Sequence, residues 1–305
     1  MIYFSLVVYD TPDDDIERLV KSFRNVHLPY KLWVINNSAT RNYESFFRGI
    51  PDFVYINNSK NEGFGKSHNI TLMAAVEQNI DYVFVINPDV YFIKDVISPI
   101  IDFMRLNQDV GMLMPEVLNP DGTVQHLPKL LPSPTLVLLR KLKFLHSFNG
   151  EYVTEYELRS APNQTIYETP NVSGCFTVIR TKILSDIGYY DTRFFLYFED
   201  WDLSRRAFDK FRTVFYPFVS IYHSGSKTRS ISPKKWLNRI VSYIKYFDKW
   251  GWSVNEEHTR VNSKIISSIK TNEITPRRPS SYWKKKITLK EIVLRRGYFT
   301  RIKGL

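Results

Sequence analysis

The sequence predicts an α/β fold with a mostly parallel central sheet flanked by helices. Three observations carry this. The first half of the chain alternates short apolar runs, rich in β-branched and aromatic residues, with segments of helical spacing. The apolar runs end in polar tips, where open parallel sheets place their ligands. Hydrophobic residues make up 43% of the 305 positions, enough for a sizeable core.

The elements follow in order. Residues 2–9 (IYFSLVVY) are continuously apolar, as a parallel strand buried on both faces should be. Residues 13–23 place Ile16, Leu19, Val20 and Phe23 at helical spacing. Residues 32–35 (LWVI) form a second strand ending in Asn36, Asn37 and Ser38, and residues 53–57 a third. A helix is expected over 67–78, with Ser67 as its N-cap. Residues 82–86 (YVFVI) form a fourth strand ending in Asn87, Pro88 and Asp89. Strands are expected at 110–114, 177–179 and 214–222, and helices at 203–211 and 234–250. Residues 128–168 are irregular, and their PTLVLLRKLKFL stretch reads as packing on the sheet rather than as an interfacial helix. Residues 253–286 read as linker, and 253–305 as a basic C-terminal extension with helical character.

Charge is uneven. From Lys227 onward there are 20 Lys and Arg against 5 Asp and Glu, whereas the overall net charge is only +11. A basic, aromatic-interleaved tail suits phosphate-rich partners, either nucleic acid or an anionic membrane. The single cysteine, Cys175, excludes an intrachain disulfide and fits a reducing compartment. The start of the chain lacks a signal-peptide pattern and no apolar run is long enough to span a bilayer, so a cytoplasmic location is expected.

Several motifs can carry chemistry. Asp89, at a strand's carboxyl end, can hold a hard cation such as Mg²⁺ or Mn²⁺ on diphosphate oxygens, although Asn-Pro-Asp is also a turn sequence. Gly63 and Gly65, in NEGFGKSHN (61–69), permit close backbone approach at a helix start that favours anions. That stretch matches neither a phosphate-binding P-loop nor a dinucleotide fingerprint. His223 ends a strand and gains a role only if folding brings it to Asp89. In FFLYFEDWDLSRRA (194–207), Glu199, Asp200 and Asp202 either cap a helix or include a general base whose pKa burial raises.

In this order the motifs resemble glycosyltransferase family 2, inverting enzymes with a GT-A fold. The resemblance runs from residue 2 to about 250. It rests on VINNS (34–38), NEGFGKSHN, INPDV (86–90), DGTVQ (121–125), VSGCFTVIR (172–180), GYYDTRFFLYFEDWDLSRRA (188–207) and YHSGS (222–226). It implies a glycosyltransferase domain over 1–252, with a nucleotide-sugar-binding half (1–110) and an acceptor half (111–252). It also implies Asp200 as base, and Asp89 with His223 as ligands of a divalent metal, Mg²⁺ or Mn²⁺. Tyr9, Asp10, Asn36, Asn37, Asn61, Gly65, Asn69 and Asn87 fall to the nucleotide sugar, with Asn36 standing where many members carry Asp. Glu199, Trp201 and Gly174 fall to the acceptor side, Trp201 as a sugar-stacking wall or a core residue. Within the family the motifs look most like bacterial rhamnosyltransferases of surface-polysaccharide synthesis, such as O-antigen or capsule. The implied reaction moves L-rhamnose from dTDP-rhamnose to a hydroxyl of a lipid-linked glycan. Another UDP- or dTDP-hexose transferase, or a non-catalytic nucleotide-sugar-binding module, is the alternative. Such acceptors lie on the cytoplasmic face of the inner membrane, so the tail is expected to touch that anionic surface rather than nucleic acid.

Overall fold

A computed structural model describes residues 1–139, 146–162, 164–225 and 233–271. Ser226 of the YHSGS motif, part of the PTLVLLRKLKFL stretch and the basic tail over 277–305 lie outside the described residues.

The parallel half of the sheet comprises β1 (Ile2–Val8), β2 (Tyr30–Asn36), β3 (Phe53–Asn57) and β4 (Tyr82–Ile86). It runs in the order β3-β2-β1-β4, all parallel, as the alternating pattern requires. Helices α1 (Asp13–Ser22), the short α2 (Glu44–Phe47) and α3 (Phe64–Glu77) connect these strands. Beyond β4 come the short β5 (Val90–Tyr91), α4 (Ile97–Leu106), β6 (Val110–Leu118), α5 (Pro134–Leu139), α6 (His146–Tyr156) and the short β7 (Tyr167–Glu168). Then follow β8 (Phe176–Arg180), the one-turn α7 (Leu184–Ile187), α8 (Glu199–Lys210), β9 (Arg212–His223), α9 (Pro233–Trp250) and α10 (Glu256–Thr271).

The second half of the sheet is mixed. Strand β8 runs antiparallel to both β4 and β6, β6 is parallel to β9, and β5 and β7 pair antiparallel with β9. This mixed half brings two distant motifs together: Val90, just after Asp89, pairs with His223 at the end of β9. Fully buried side chains such as Phe4, Leu6, Val34, Phe84, Phe176 and Ile221 form one continuous core across both halves.

Three expectations are corrected. Helix α3 starts at Phe64 rather than 67, so Ser67 is not its N-cap; it is buried and its hydroxyl donates to Asn37 Oδ1 at 3.1 Å. Helix α8 starts at Glu199 rather than 203. The linker expected over 253–286 is helical over Glu256–Thr271. There Ile265 and Ile269 bury against Leu136, Tyr156 and Phe208 in a second apolar cluster. The alternation of polar and apolar residues in that segment hides a helix whose stability comes from packing one face, not from propensity.

Candidate active site

The three carboxylates of FFLYFEDWDLSRRA fall in the first turn of α8, where the helix dipole favours them. The chain enters that helix through Tyr197 (φ 70°) and Phe198 (φ 68°), two consecutive left-handed residues with bulky side chains. Such a conformation is costly and persists only where its surroundings impose it. They do so from both sides. Asn69 on α3 exchanges two 2.9 Å hydrogen bonds with the backbone of Tyr190, and the Phe64 amide donates to Phe195 O at 3.0 Å. From α9, Ser242 Oγ donates to Leu196 O at 2.9 Å, and Phe198 packs on Trp201 and Tyr246.

Asp200 is fixed by two backbone amides: Gly174 N–H donates to Oδ2 at 3.1 Å, and Trp201 N–H to Oδ1 at 2.9 Å. Burial pushes its pKa up, while these amides and the nearby Lys129 ammonium pull it back. Lys129 was not foreseen; one basic residue after DGTVQ carries no signal of this proximity. Glu199 points into the protein. Burial, reinforced by the Asp200 charge, holds its pKa far above the carboxylate range, and its Oε2 has no hydrogen-bond partner. Asp202 is fully buried in an ion network: Arg206 at 2.8 Å, Lys249 at 2.6 Å and Trp250 Nε1 at 2.9 Å.

The segment before β8 links Asp200 to the metal-type motif. Next to Gly174, the Cys175 carbonyl accepts from Asn87 N–H at 2.9 Å, and Asp89 follows two residues later. Burial pushes the Cys175 thiol up to about 12, with both the Asp89 and Asp200 carboxylates adding to the shift. Both carboxylates therefore lie within electrostatic reach of this one residue.

Asp89 Oδ1 lies 3.3 Å from His223 Nε2. His223 Nδ1 lies 3.0 Å from Gln125 Oε1. Gln125 Nε2 in turn donates to His223 O and Asn119 Oδ1, both at 2.9 Å, which assigns the amide orientation. In the neutral ring Gln125 thus holds the proton on Nδ1, and the Nε2 lone pair faces the Asp89 carboxylate. Two electron donors converging on one point suit a hard cation, so the residues fit a divalent metal whose other ligands come from substrate phosphate and water. Among the described residues no group of three or more His, Cys, Asp or Glu surrounds one point. Sequence reasoning quoted Gln125 only as part of DGTVQ; its position 98 residues from His223 is visible only in the fold.

Of the expected nucleotide residues, Tyr9, Asp10, Asn36, Asn37 and Asn87 lie at the carboxyl ends of β1, β2 and β4, Asn61 follows β3, and Gly65 and Asn69 lie on α3. Tyr9 and Asp10 are exposed, with Asp10 in the left-handed region (φ 45°) and its amide on Ser38 Oγ at 2.9 Å. Asn36 and Asn37 are buried. Asn36 donates to Arg41 O and Asn57 Oδ1 and accepts from Ser38 N–H. Asn37 bonds Gly63 O, Asn58 and Ser67. Asn61 accepts from Gly63 N–H at 2.9 Å. The space left by the glycines is filled by protein: a Cβ at Gly63 would lie 2.4 Å from Phe195 O, and one at Gly65 2.8 Å from Tyr190 Cβ. The same holds at Gly174, where Phe64 and Asp200 close in at 3.1 and 3.4 Å. Gly63 and Gly65 let the lead-in to α8 seat against the start of α3. Trp201 is half-buried and meets Phe198 edge-on at 4.7 Å.

Known proteins match this architecture. The mycobacterial N-acetylglucosaminyl-diphospho-decaprenol L-rhamnosyltransferase of Mycobacterium tuberculosis is 24% identical over 261 residues, covering 79% of this chain and 83% of the relative. Rhamnosyltransferase WbbL of Escherichia coli K12 is 22% identical over 272 residues, covering 86% and 98%. Among solved structures, GalNAc-T7 with UDP, GalNAc and Mn²⁺ superposes with a TM-score of 0.58 at 12% identity, over 92% of this chain and 52% of that one. Residues 1–349 of S. aureus TarS superpose with a TM-score of 0.51 at 12% identity, over 88% and 79%. At such identity the structures establish the fold, which is GT-A. The family description "Glycosyl transferase family 2" matches residues 6–188, more than half of the chain. The chain therefore belongs to glycosyl transferase family 2 and is a glycosyltransferase.

Proposed function

We propose that this enzyme transfers L-rhamnose from dTDP-rhamnose to a hydroxyl of a lipid-linked glycan, with inversion, in the synthesis of a cell-surface polysaccharide. The observation that carries the reaction type is the backbone link from Asp200 through Gly174 and Cys175 to Asn87, two residues before the Asp89 that lies 3.3 Å from His223. The donor and acceptor rest on the two rhamnosyltransferase relatives, one of which is named for a diphospho-decaprenol-linked acceptor.

Asp200 takes the proton of the acceptor hydroxyl. Its raised pKa makes it a stronger base than a solvated carboxylate, and the amides of Gly174 and Trp201 hold it in one orientation. The activated oxygen attacks the anomeric carbon from the face opposite the diphosphate. Asp89 and His223 would hold Mg²⁺ or Mn²⁺, which when bound neutralises the charge of the departing diphosphate. Gln125 keeps His223 Nε2 available to it. Tyr9, Asp10 and the turn after β2 border the nucleobase, and the half-exposed Asn87 stands beside the diphosphate. Trp201 edges the acceptor side, while Glu199 supports the helix start from below. The tail over 277–305 adds a basic contact with an anionic inner-membrane surface.

Thermal unfolding against a panel of nucleotide sugars, with and without Mn²⁺, tests the donor. A ligand at a hundredfold excess over its Kd stabilises by about 2.7 kcal/mol. dTDP-rhamnose with Mn²⁺ is expected to give the largest rise in Tm. A larger rise with a UDP-sugar would reassign the donor, and no rise with any of them would refute nucleotide-sugar binding.

A further inference from the structure

The outer face of α9 is apolar where solvent should make it polar. Trp236, Leu237, Val241, Ile244 and, just past the helix end, Trp252 are 55%, 56%, 39%, 43% and 49% exposed. At 100° per residue the four helical positions fall within about 140° of arc, a single stripe. The other positions are already used: Ser242 and Tyr246 are buried on the opposite face, Phe247 is buried near the end of the helix, and Lys249 and Trp250 hold Asp202 of α8. Leu138 of α5, 55% exposed, extends the apolar surface from the neighbouring helix, which Tyr243 reaches through Pro134 O at 3.1 Å. Scattered exposed apolar residues need no explanation, but a continuous stripe marks a surface that is covered in use.

Charge selects the occupant. Apart from Lys249, which is paired with Asp202 and Asp191, helix α9 carries Lys234, Lys235, Arg239 and Lys245 against one acid, Asp248. Two such helices facing each other would repel, which disfavours a second copy. Residues 272–305 hold ten Lys and Arg against two Glu, so that segment is of like sign and is also disfavoured. An anionic bilayer supplies both what the stripe lacks and what the charges seek: an apolar interior for Leu and Ile, an interfacial layer for Trp, and negative headgroups for Lys and Arg.

We propose that α9 is a membrane-docking helix that lies in the interface of an anionic bilayer through the stripe of Trp236, Leu237, Val241 and Ile244. No helix among the described residues is long and apolar enough to cross a membrane, so the contact is lateral. Because the other side of α9 buttresses the first turn of α8, docking holds Asp200 one helix diameter, ~10 Å, from the lipid surface. This deepens the reading of the acceptor as lipid-linked and is distinct from the basic tail.

The test is co-sedimentation of the full chain with phosphatidylcholine vesicles, with and without phosphatidylglycerol. Wild type is expected to sediment with the phosphatidylglycerol vesicles. The Trp236→Ser, Leu237→Gln, Ile244→Gln triple variant is expected to lose roughly tenfold or more in partitioning, given the transfer energies of three apolar side chains. Its dTDP-rhamnose-induced rise in Tm should match wild type, which separates failure of docking from failure of the donor reading. Single Leu237→Gln and Ile244→Gln variants, each severalfold weaker, carry the test if the triple variant does not fold. Unchanged partitioning in the variants overturns the proposal. So does a wild-type dimer that the substitutions convert to monomer, because the stripe is then a self-association surface.

Discussion

Glu199, Asp200 and Asp202 are three carboxylates within four positions, and the fold gives each a different environment. Asp200 receives two amides, Asp202 two cations and an indole, and Glu199 nothing at Oε2. The sequence already suggested a division between catalysis and helix support. In the fold Asp202 pairs with an arginine. The arginine is Arg206, which sits at i,i+4; Arg205 instead lies over the Trp250 ring at 4.2 Å. Lys249 and Trp250 could not be read, because nothing local ties them to a residue nearly fifty positions earlier. Glu199 makes a pH prediction. Its folded pKa is raised above the unfolded value, so the native state holds a proton that the unfolded state releases. Stability should therefore fall as pH rises from the unfolded carboxylate range toward the raised folded value. Glu199→Gln removes that ionisation. Its Tm should decline less between mildly acidic and mildly alkaline pH, and should exceed wild type at the alkaline end by about 2–4 °C. Parallel Tm-versus-pH curves for the two proteins would show that Glu199 is not a buried protonated acid.

At the scale of elements, β1 to β4 were legible because strands buried on both faces are continuously apolar, and polar tips mark their ends. The start of α8 was not. Tyr197 and Phe198 adopt positive φ without the glycine or asparagine that would signal it, and the stabilising contacts come from α3 and α9. The site was legible as motifs but not as a surface. Gly63 and Gly65 also serve chain-on-chain packing, which a missing side chain does not announce in the sequence. The α8–α9 junction rests on Asp202, and breaking one partner of a buried ion network leaves charge uncompensated. Asp202→Ala leaves Lys249 with Asp191 at 2.9 Å and Arg206 with only the Ile187 and Tyr189 carbonyls, and should cost about 2–4 kcal/mol in chemical or thermal unfolding. A loss below about 1 kcal/mol would mean that aromatic packing alone holds α9 in place.

Across the whole molecule, the candidate base Asp200 lies where the parallel half of the sheet joins the mixed half. Strand β8 runs antiparallel between β4 and β6, and its lead-in supplies the Gly174 amide and Cys175 carbonyl that tie Asp200 to Asn87. Asp89 and His223 arrive on β5 and β9, the strands at the far edge of the same sheet. The basic excess falls from Lys227 onward in the sequence and includes α9 beside the proposed acceptor side. The central claim is that Asp200 is the base and acts at a donor held by the Asp89–His223 side. Asp200→Asn keeps the size of the side chain and an oxygen for one backbone amide while removing the base, so it separates chemistry from binding. The most direct test measures turnover and dTDP-rhamnose affinity on this variant in the presence of Mn²⁺. Turnover should fall roughly 10²–10⁴-fold while affinity stays near wild type. Turnover within a few-fold of wild type would contradict the assignment of Asp200.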